Sequence, residues 1–264
     1  MRVWSIANQK GGVGKTSSVV SLAGLLAQAG KKVLLLDLDP QGSLTSYFRM
    51  DPDNIQHSLY DLFMHKGQVP DHLPGMLLQE TPHESVKFMP SSTALATLER
   101  SVASQEGMGL VISRALAKLW DDFDYAIIDT PPQLGVLLIN ALAACQQIIL
   151  PVQTEFMAIK GLERMVNTLS MVMRSRKQQL PYLIVPTMYD RRTSASQQAL
   201  NMLRKQYPDH LWQAAIPVDT RLRDASVLGQ FISLMDPEAR STQAYQHLLK
   251  DLLKPKIGVA EAVS

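Results

Sequence analysis

Residues 10–16 read Lys-Gly-Gly-Val-Gly-Lys-Thr, and this combination suits the binding of a triphosphate. Gly11, Gly12 and Gly14 let successive backbone N–H groups around Val13 turn inward on a phosphate. Lys15 can reach the β- and γ-phosphates, and the Thr16 hydroxyl, followed by Ser17, is placed to ligate Mg²⁺. A helix that starts here adds the positive end of its dipole. An incidental glycine-rich turn is the alternative, and the flanking strand and helix argue against it. The residue ahead of the first glycine is Lys10, a second lysine beside one triphosphate. Only one lysine fits the loop's own pocket. The other can point outward to a nucleotide held by a second copy of the chain, acting in trans as an arginine finger does. A solvent-exposed Lys10 is the alternative.

Two further segments supply carboxylates. Tyr125-Ala126-Ile127-Ile128-Asp129 is an apolar run that ends in an acid. Asp129 is placed to hold Mg²⁺ through water, and Thr130-Pro131-Pro132 should form a stiff loop that senses the γ-phosphate. Asp37-Leu38-Asp39-Pro40-Gln41-Gly42 ends a second apolar run. Asp37 and Asp39 there suit metal support and the positioning of water, unless they serve only as a cap or turn. Phosphoryl transfer asks mainly for placement and charge neutralisation, so few side chains suffice.

These groups need strands that end together. Strand-like runs at 3–7, 32–37, 125–129, 147–152, 182–186 and 212–216 alternate with helix-period segments at 16–29, 109–120, 161–173, 196–206 and 242–253. The run Val33-Leu34-Leu35-Leu36 is apolar throughout, as in a parallel sheet covered on both faces. The expected fold is α/β: a doubly wound, mostly parallel sheet with helices on both faces, whose ligand site lies at the carboxyl ends of the strands. Residues 1–254 are expected to form one domain. Residues 50–90, with five prolines, read as an irregular insertion around short helical pieces such as 58–64, and 255–264 as a flexible tail.

Composition narrows the class. With 46% apolar residues the 264-residue chain can bury a large core. Cys145 is the single cysteine and reads as a buried small hydrophobe, so no intramolecular disulfide forms. The six histidines show no ligand spacing. The opening run reads as a strand rather than a signal peptide, and no apolar run reaches the length of a membrane span, so a cytoplasmic protein is expected. Residues 1–132 hold 11 Lys/Arg against 14 Asp/Glu, and 133–264 hold 15 against 10. A mildly basic second half is compatible with a polyanion partner.

Together these residues resemble the ParA/MinD family of ATPases, whose phosphate loop is a deviant Walker A motif. The matching pieces are Lys10 to Ser17, Asp37 to Gly42, Ile127 to Pro132, Thr187 to Thr193, and Ile216 to Leu222. The resemblance implies a P-loop NTPase fold, ATP with Mg²⁺, an ATP-sandwich homodimer and slow hydrolysis stimulated by a partner. It also implies the positioning of cargo inside a bacterium. By position, Lys10 would be the signature lysine and Asp39 would orient the attacking water. Asp37 would support the loop and metal, and Met188, Pro217 and Asp219 would flank the adenine.

Finer features sort the branches of the family. Nine residues before Lys10 leave no room for an operator-reading extension. Pro255 and Gly258 break any terminal membrane helix, so no membrane partner is expected. One cysteine cannot serve the cluster of the iron–sulfur branch. Residues 43–48 and 58–63 are similar to ParA-like proteins of chemotaxis clusters, often called ParC, which implies a polar chemotaxis-array adaptor as partner and the cell pole as location. Chromosome or plasmid partitioning on the nucleoid is the other reading. Family members commonly bind non-specific DNA, and Arg191, Arg192, Arg221 and Arg223, expected in loops, are candidate phosphate contacts. Arg174, Arg176 and Lys177 form a further cluster. A solvated loop or an internal ion pair is the alternative for each.

Overall fold

The structure is a computed structural model that describes residues 1–101, 107–176 and 180–254, without the side chains of 99–101, 175 and 176. The expected tail at 255–264 and the pair Arg176 and Lys177 therefore lie outside the described side chains.

Seven strands form one sheet: β1 Arg2–Ile6, β2 Val33–Asp37, β3 Gln79–Glu80, β4 Val86–Met89, β5 Tyr125–Asp129, β6 Gln147–Gln153 and β7 Tyr182–Thr187, in the order β3-β4-β2-β5-β1-β6-β7. All pairs are parallel except β3 with β4. The helices are α1 Lys15–Gln28, α2 Ser43–Tyr47, α3 Leu59–Phe63, α4 Leu73–Met76, α5 Leu95–Ser101, α6 Val111–Lys118, α7 Val136–Ala144, α8 Phe156–Arg176, α9 Ser194–Gln206, α10 Arg221–Leu228, α11 Ile232–Met235 and α12 Arg240–Leu253.

The uninterrupted apolar strands are explained by two cores. In β2, Leu34 and Leu36 point into one core with α3, α6, α7 and α8, while Val33 and Leu35 point into the other with α1 and α12. Successive side chains of a strand face opposite ways, so a sheet covered on both sides needs apolar residues at every position. Helix α1 is itself squeezed between sheet and C-terminal helices. At Gly24 a Cβ would stand 2.7 Å from Ser233 Oγ and 2.9 Å from Phe231 Cβ, so only glycine admits α11 this closely. Among the described residues no helix is long and apolar enough to cross a membrane.

Four expectations change. Residues 50–90 are not irregular throughout, because Val86–Met89 is a buried strand paired to β2 over four residues. Helix α7 had no counterpart in the sequence reading, because its run of apolar residues carries no helical period. Residues 212–216 form no strand. The segment touches β7 through Trp212 N to Ile184 O (2.8 Å) and Ile216 N to Pro186 O (2.8 Å). Pro186 has no N–H to return, which interrupts any ladder there. Arg221 and Arg223 lie in the first turn of α10 rather than in a loop.

Candidate functional site

The carboxyl ends of β1, β2 and β5 lie side by side, with Ile6 paired to Asp129 and Asp37 to Asp129 in register. The chain leaves β1 through a loop pinned at both ends. Ala7 N donates to Ile149 O (3.0 Å) and Asn8 Nδ2 to Pro151 O (2.8 Å), while Lys10 N donates to Asn8 Oδ1 (3.0 Å). Gly12 and Gly14 have φ of 72° and 90°, the left-handed region that a side chain disfavours. Among the described residues nothing stands within 4 Å of a Cβ built on Gly11, Gly12 or Gly14, so the loop's concave side is open to a ligand. Buried Val13 anchors it from beneath, its carbonyl accepting from Thr187 Oγ1 at 2.9 Å. Gly14 caps α1, whose first turn holds no acid and includes half-buried Thr16 and Ser17, so the helix dipole faces the loop uncompensated.

Lys15 is buried, with Nζ 3.4 Å from Lys10 O. Burial lowers its pKa, while the nearby carboxylates of Asp129 and Asp39 work against that shift. Thr16 Oγ1 donates to Asp129 Oδ2 at 2.6 Å. Asp129 Oδ1 is buried and accepts no hydrogen bond among the described residues. Burial raises the pKa of Asp129, opposed by the Thr16 hydrogen bond and the charge of Lys15. An orphaned carboxylate oxygen beside a threonine hydroxyl fits a hard cation with oxygen ligands. No group of three or more His, Cys, Asp or Glu is placed to cage a metal among the described residues. Mg²⁺ shared with substrate phosphates needs no such cage.

Asp37 is engaged differently. Its Oδ2 accepts from Thr45 N (2.8 Å) and Thr45 Oγ1 (2.7 Å), and its Oδ1 from Asp39 N (3.2 Å). Burial, then the charge of Asp129, raises its pKa. Both oxygens thus hold the segment that carries Asp39. Asp39 is 8% exposed, and its Oδ1 accepts from Gln41 N at 3.0 Å. Burial raises its pKa, and the Gln41 hydrogen bond and Lys15 oppose the rise. Ser91, just past β4, donates from Oγ to Asp39 O (2.6 Å) and from N to Thr45 Oγ1 (2.8 Å). Thr45 and Ser91 were missed in the sequence, and only the pairing of β4 with β2 brings Ser91 here.

Beyond β7, Tyr189 N donates to Ile216 O (3.0 Å) and Val218 N to Tyr189 O (3.1 Å). These bonds join the segments of Met188 and Pro217. Met188 is 38% exposed at φ 51°, and Thr187 ties it to the phosphate loop. Asp219 turns elsewhere: its Oδ2 accepts from Ser241 N (2.9 Å) and Ser241 Oγ (3.0 Å), which fixes α12. Of the candidate DNA contacts, Arg192 pairs with Asp190 through two bonds of 3.0 and 2.8 Å. Arg221 pairs with Asp236 (3.0 Å) and Asp224 (3.5 Å). Arg191 and Arg223 are exposed and make no ion pair among the described residues; Arg174 is exposed too. Lys10 is ion-paired with Glu155.

A family model described as an AAA domain matches residues 1–182. The chain is 34% identical to the sporulation initiation inhibitor protein Soj of Bacillus subtilis over 252 residues, covering 95% of this chain and 98% of that protein. It is 32% identical to the chromosome partitioning protein ParA of Myxococcus xanthus, covering 96% of this chain and 88% of that one. It superposes with a TM-score of 0.81, at 34% identity, on a Mycobacterium smegmatis structure named cobyrinic acid a,c-diamide synthase with bound ATP analog and magnesium, covering 96% of this chain and 94% of that one.

Proposed function

The chain belongs to the ParA/MinD family of P-loop ATPases, and on that premise we propose that it is an ATP-gated dimer that positions cargo inside a bacterial cell. The observation that carries the reading is the single polar edge where the open phosphate loop, buried Lys15, the Thr16–Asp129 pair and Asp39 converge. Loop amides, with Lys15, hold the triphosphate of ATP. Thr16 and Asp129, backed by Asp37, would hold Mg²⁺, which would supply charge neutralisation at the phosphates. Asp39 Oδ2, which accepts no hydrogen bond among the described residues, orients a water toward the γ-phosphorus. The water oxygen bonds to that phosphorus, the bond to the bridging oxygen breaks, and ADP and phosphate leave. Met188 and Pro217 flank the base; Asp219 acts behind them, through its hold on Ser241.

Residues 1–254 act as one unit, and Lys10 reaches the nucleotide of a second copy in an ATP-sandwich homodimer. Turnover is slow until a cargo or adaptor protein stimulates it. The finer cargo reading is a polar chemotaxis array, resting on the resemblance in 43–48 and 58–63. Several residues of those segments (Leu44, Leu59, Leu62 and Phe63) are buried and also serve the core. A second reading, DNA partitioning on the nucleoid, is favoured by the names of the Bacillus and Myxococcus relatives. In it Arg191 and Arg223 contact phosphates without sequence preference.

Phosphate release and sedimentation with plain duplex DNA, in ATP, ADP and no nucleotide, test this together. Asp39→Ala should lower turnover by about 10²-fold while ATP binding is kept. Unchanged turnover would leave a nucleotide-gated scaffold. Pelleting with DNA only in ATP, and lost at raised salt, supports a nucleoid-riding cycle. No pelleting supports recruitment by a polar protein.

A further inference from the structure

The two lysines of the phosphate loop are held in opposite directions. Lys15 Nζ turns back into the loop toward Lys10 O, whereas Lys10 Nζ leaves it for Glu155, the residue just ahead of α8. The backbone of Lys10 is held and its side chain starts beside α8. Its N–H is tied to Asn8, itself anchored on β6, and its Cβ is 3.8 Å from where a Cβ on Gly161 of α8 would stand. Glu155 is fixed through its backbone, with N donating to Gln153 O (2.8 Å) and O accepting from Ala158 N (3.2 Å). Among the described residues the one other ion pair in this first part of α8, Lys160 with Glu163, is closed on itself. The Lys10 and Glu155 side chains are 32% and 42% exposed, so their pair faces solvent and opens at little cost.

We propose that Glu155 is a positioning residue for Lys10, holding its ammonium on its own chain in the single protein and releasing it when a second copy presents a triphosphate. The inference rests on the reading of Lys10 as a group that acts in trans. A lysine stem carries several rotatable bonds, and an unheld ammonium would fold back on the nearest phosphates, those of its own nucleotide. A carboxylate at the mouth of α8 competes for that charge. It gives way only when the partner's triphosphate, with more negative charge at closer range, arrives. Glu155 therefore sets the protein concentration at which the ATP-bound dimer forms.

The test is sedimentation velocity in Mg²⁺ and a non-hydrolysable ATP analogue, giving the dimer dissociation constant of five proteins: unmodified, Glu155→Gln, Glu155→Asp, Lys10→Ala and the Lys10→Ala/Glu155→Gln double variant. One exposed pair is broken in each protomer, so Glu155→Gln should tighten the dimer about two- to thirtyfold. Lys10→Ala should weaken it, adding Glu155→Gln to Lys10→Ala should change nothing, and Glu155→Asp should restore the unmodified value. An unchanged or weaker Glu155→Gln dimer beside a weakened Lys10→Ala dimer overturns the holding role and leaves the trans reading intact. The same tightening without Lys10 shows that Glu155 acts by another route. A Lys10→Ala protein that dimerises and hydrolyses normally removes the trans reading and the inference with it.

Discussion

The carboxyl edge of β1, β2 and β5 and the arginine-bearing surface at 190–192 and α10 are both charged, but they hold their charge in opposite ways. At the sheet edge Lys15, Asp37, Asp39 and Asp129 are buried. Each depends on a specific neighbour, and burial shifts the pKa of all four toward the neutral form. On the arginine surface the side chains are exposed and two of the four are already closed on carboxylates. Buried charge is strong and intolerant of change, whereas exposed charge is weak, screened by salt and replaceable. The difference matches a fixed chemical centre in one place and a diffuse, adjustable contact in the other.

The contrast predicts a ranking of effects. Lys15→Ala should be the most damaging change, lowering phosphate release by about 10³-fold because among the described residues no other cation is buried at the phosphate loop. If Lys10 from a second copy compensates, the loss will be far smaller and the separation of roles between the two lysines fails. Thr45→Val comes next. It removes a hydroxyl donor to buried Asp37 and an acceptor for Ser91 N, and should lower stability by about 1–3 kcal/mol in denaturant titration. A neutral result would mean that the network tolerates the loss as an exposed one would.

The buried acids also set a pH dependence. Because the folded-state pKa values of Asp37 and Asp129 are raised, the folded protein holds more protons than the unfolded chain above their ordinary value of 3.8. Their contribution to stability is thus complete at low pH and is lost as pH rises through the raised values. The slope is about 1.4 kcal/mol per pH unit for each proton in question. Nucleotide-free protein should therefore lose stability over that range, and Asp129→Asn should flatten the curve. A curve equally steep in Asp129→Asn would assign the slope to other groups. The arginine surface should give the smallest effects. Arg191→Ala and Arg223→Ala should each reduce the salt slope of DNA binding by about one, weakening all sequences alike. Arg192→Ala and Arg221→Ala should do less, since their charges are already paired. Equal effects from all four would erase the distinction drawn between free and paired arginines.

The amino-acid sequence by itself determined the parts of this protein that are local. Three glycines, a lysine and a threonine in one stretch specify a phosphate loop, because its geometry is made by consecutive backbone amides. Uninterrupted apolar strands ending in Asp37 and Asp129 specify a sheet covered on both faces with acids at one edge. What only the tertiary structure decided is non-local. Ser91 reaches Asp39 because β4 pairs with β2 across a stretch whose prolines read as irregular. Glu155 reaches Lys10, 145 residues away, because β6 lies beside β1. Asp219 is tied to Ser241 of α12, 22 residues on. Residue type limits what a side chain can do, but its partner is set by strand order and helix packing. Neither leaves a local spacing in the chain.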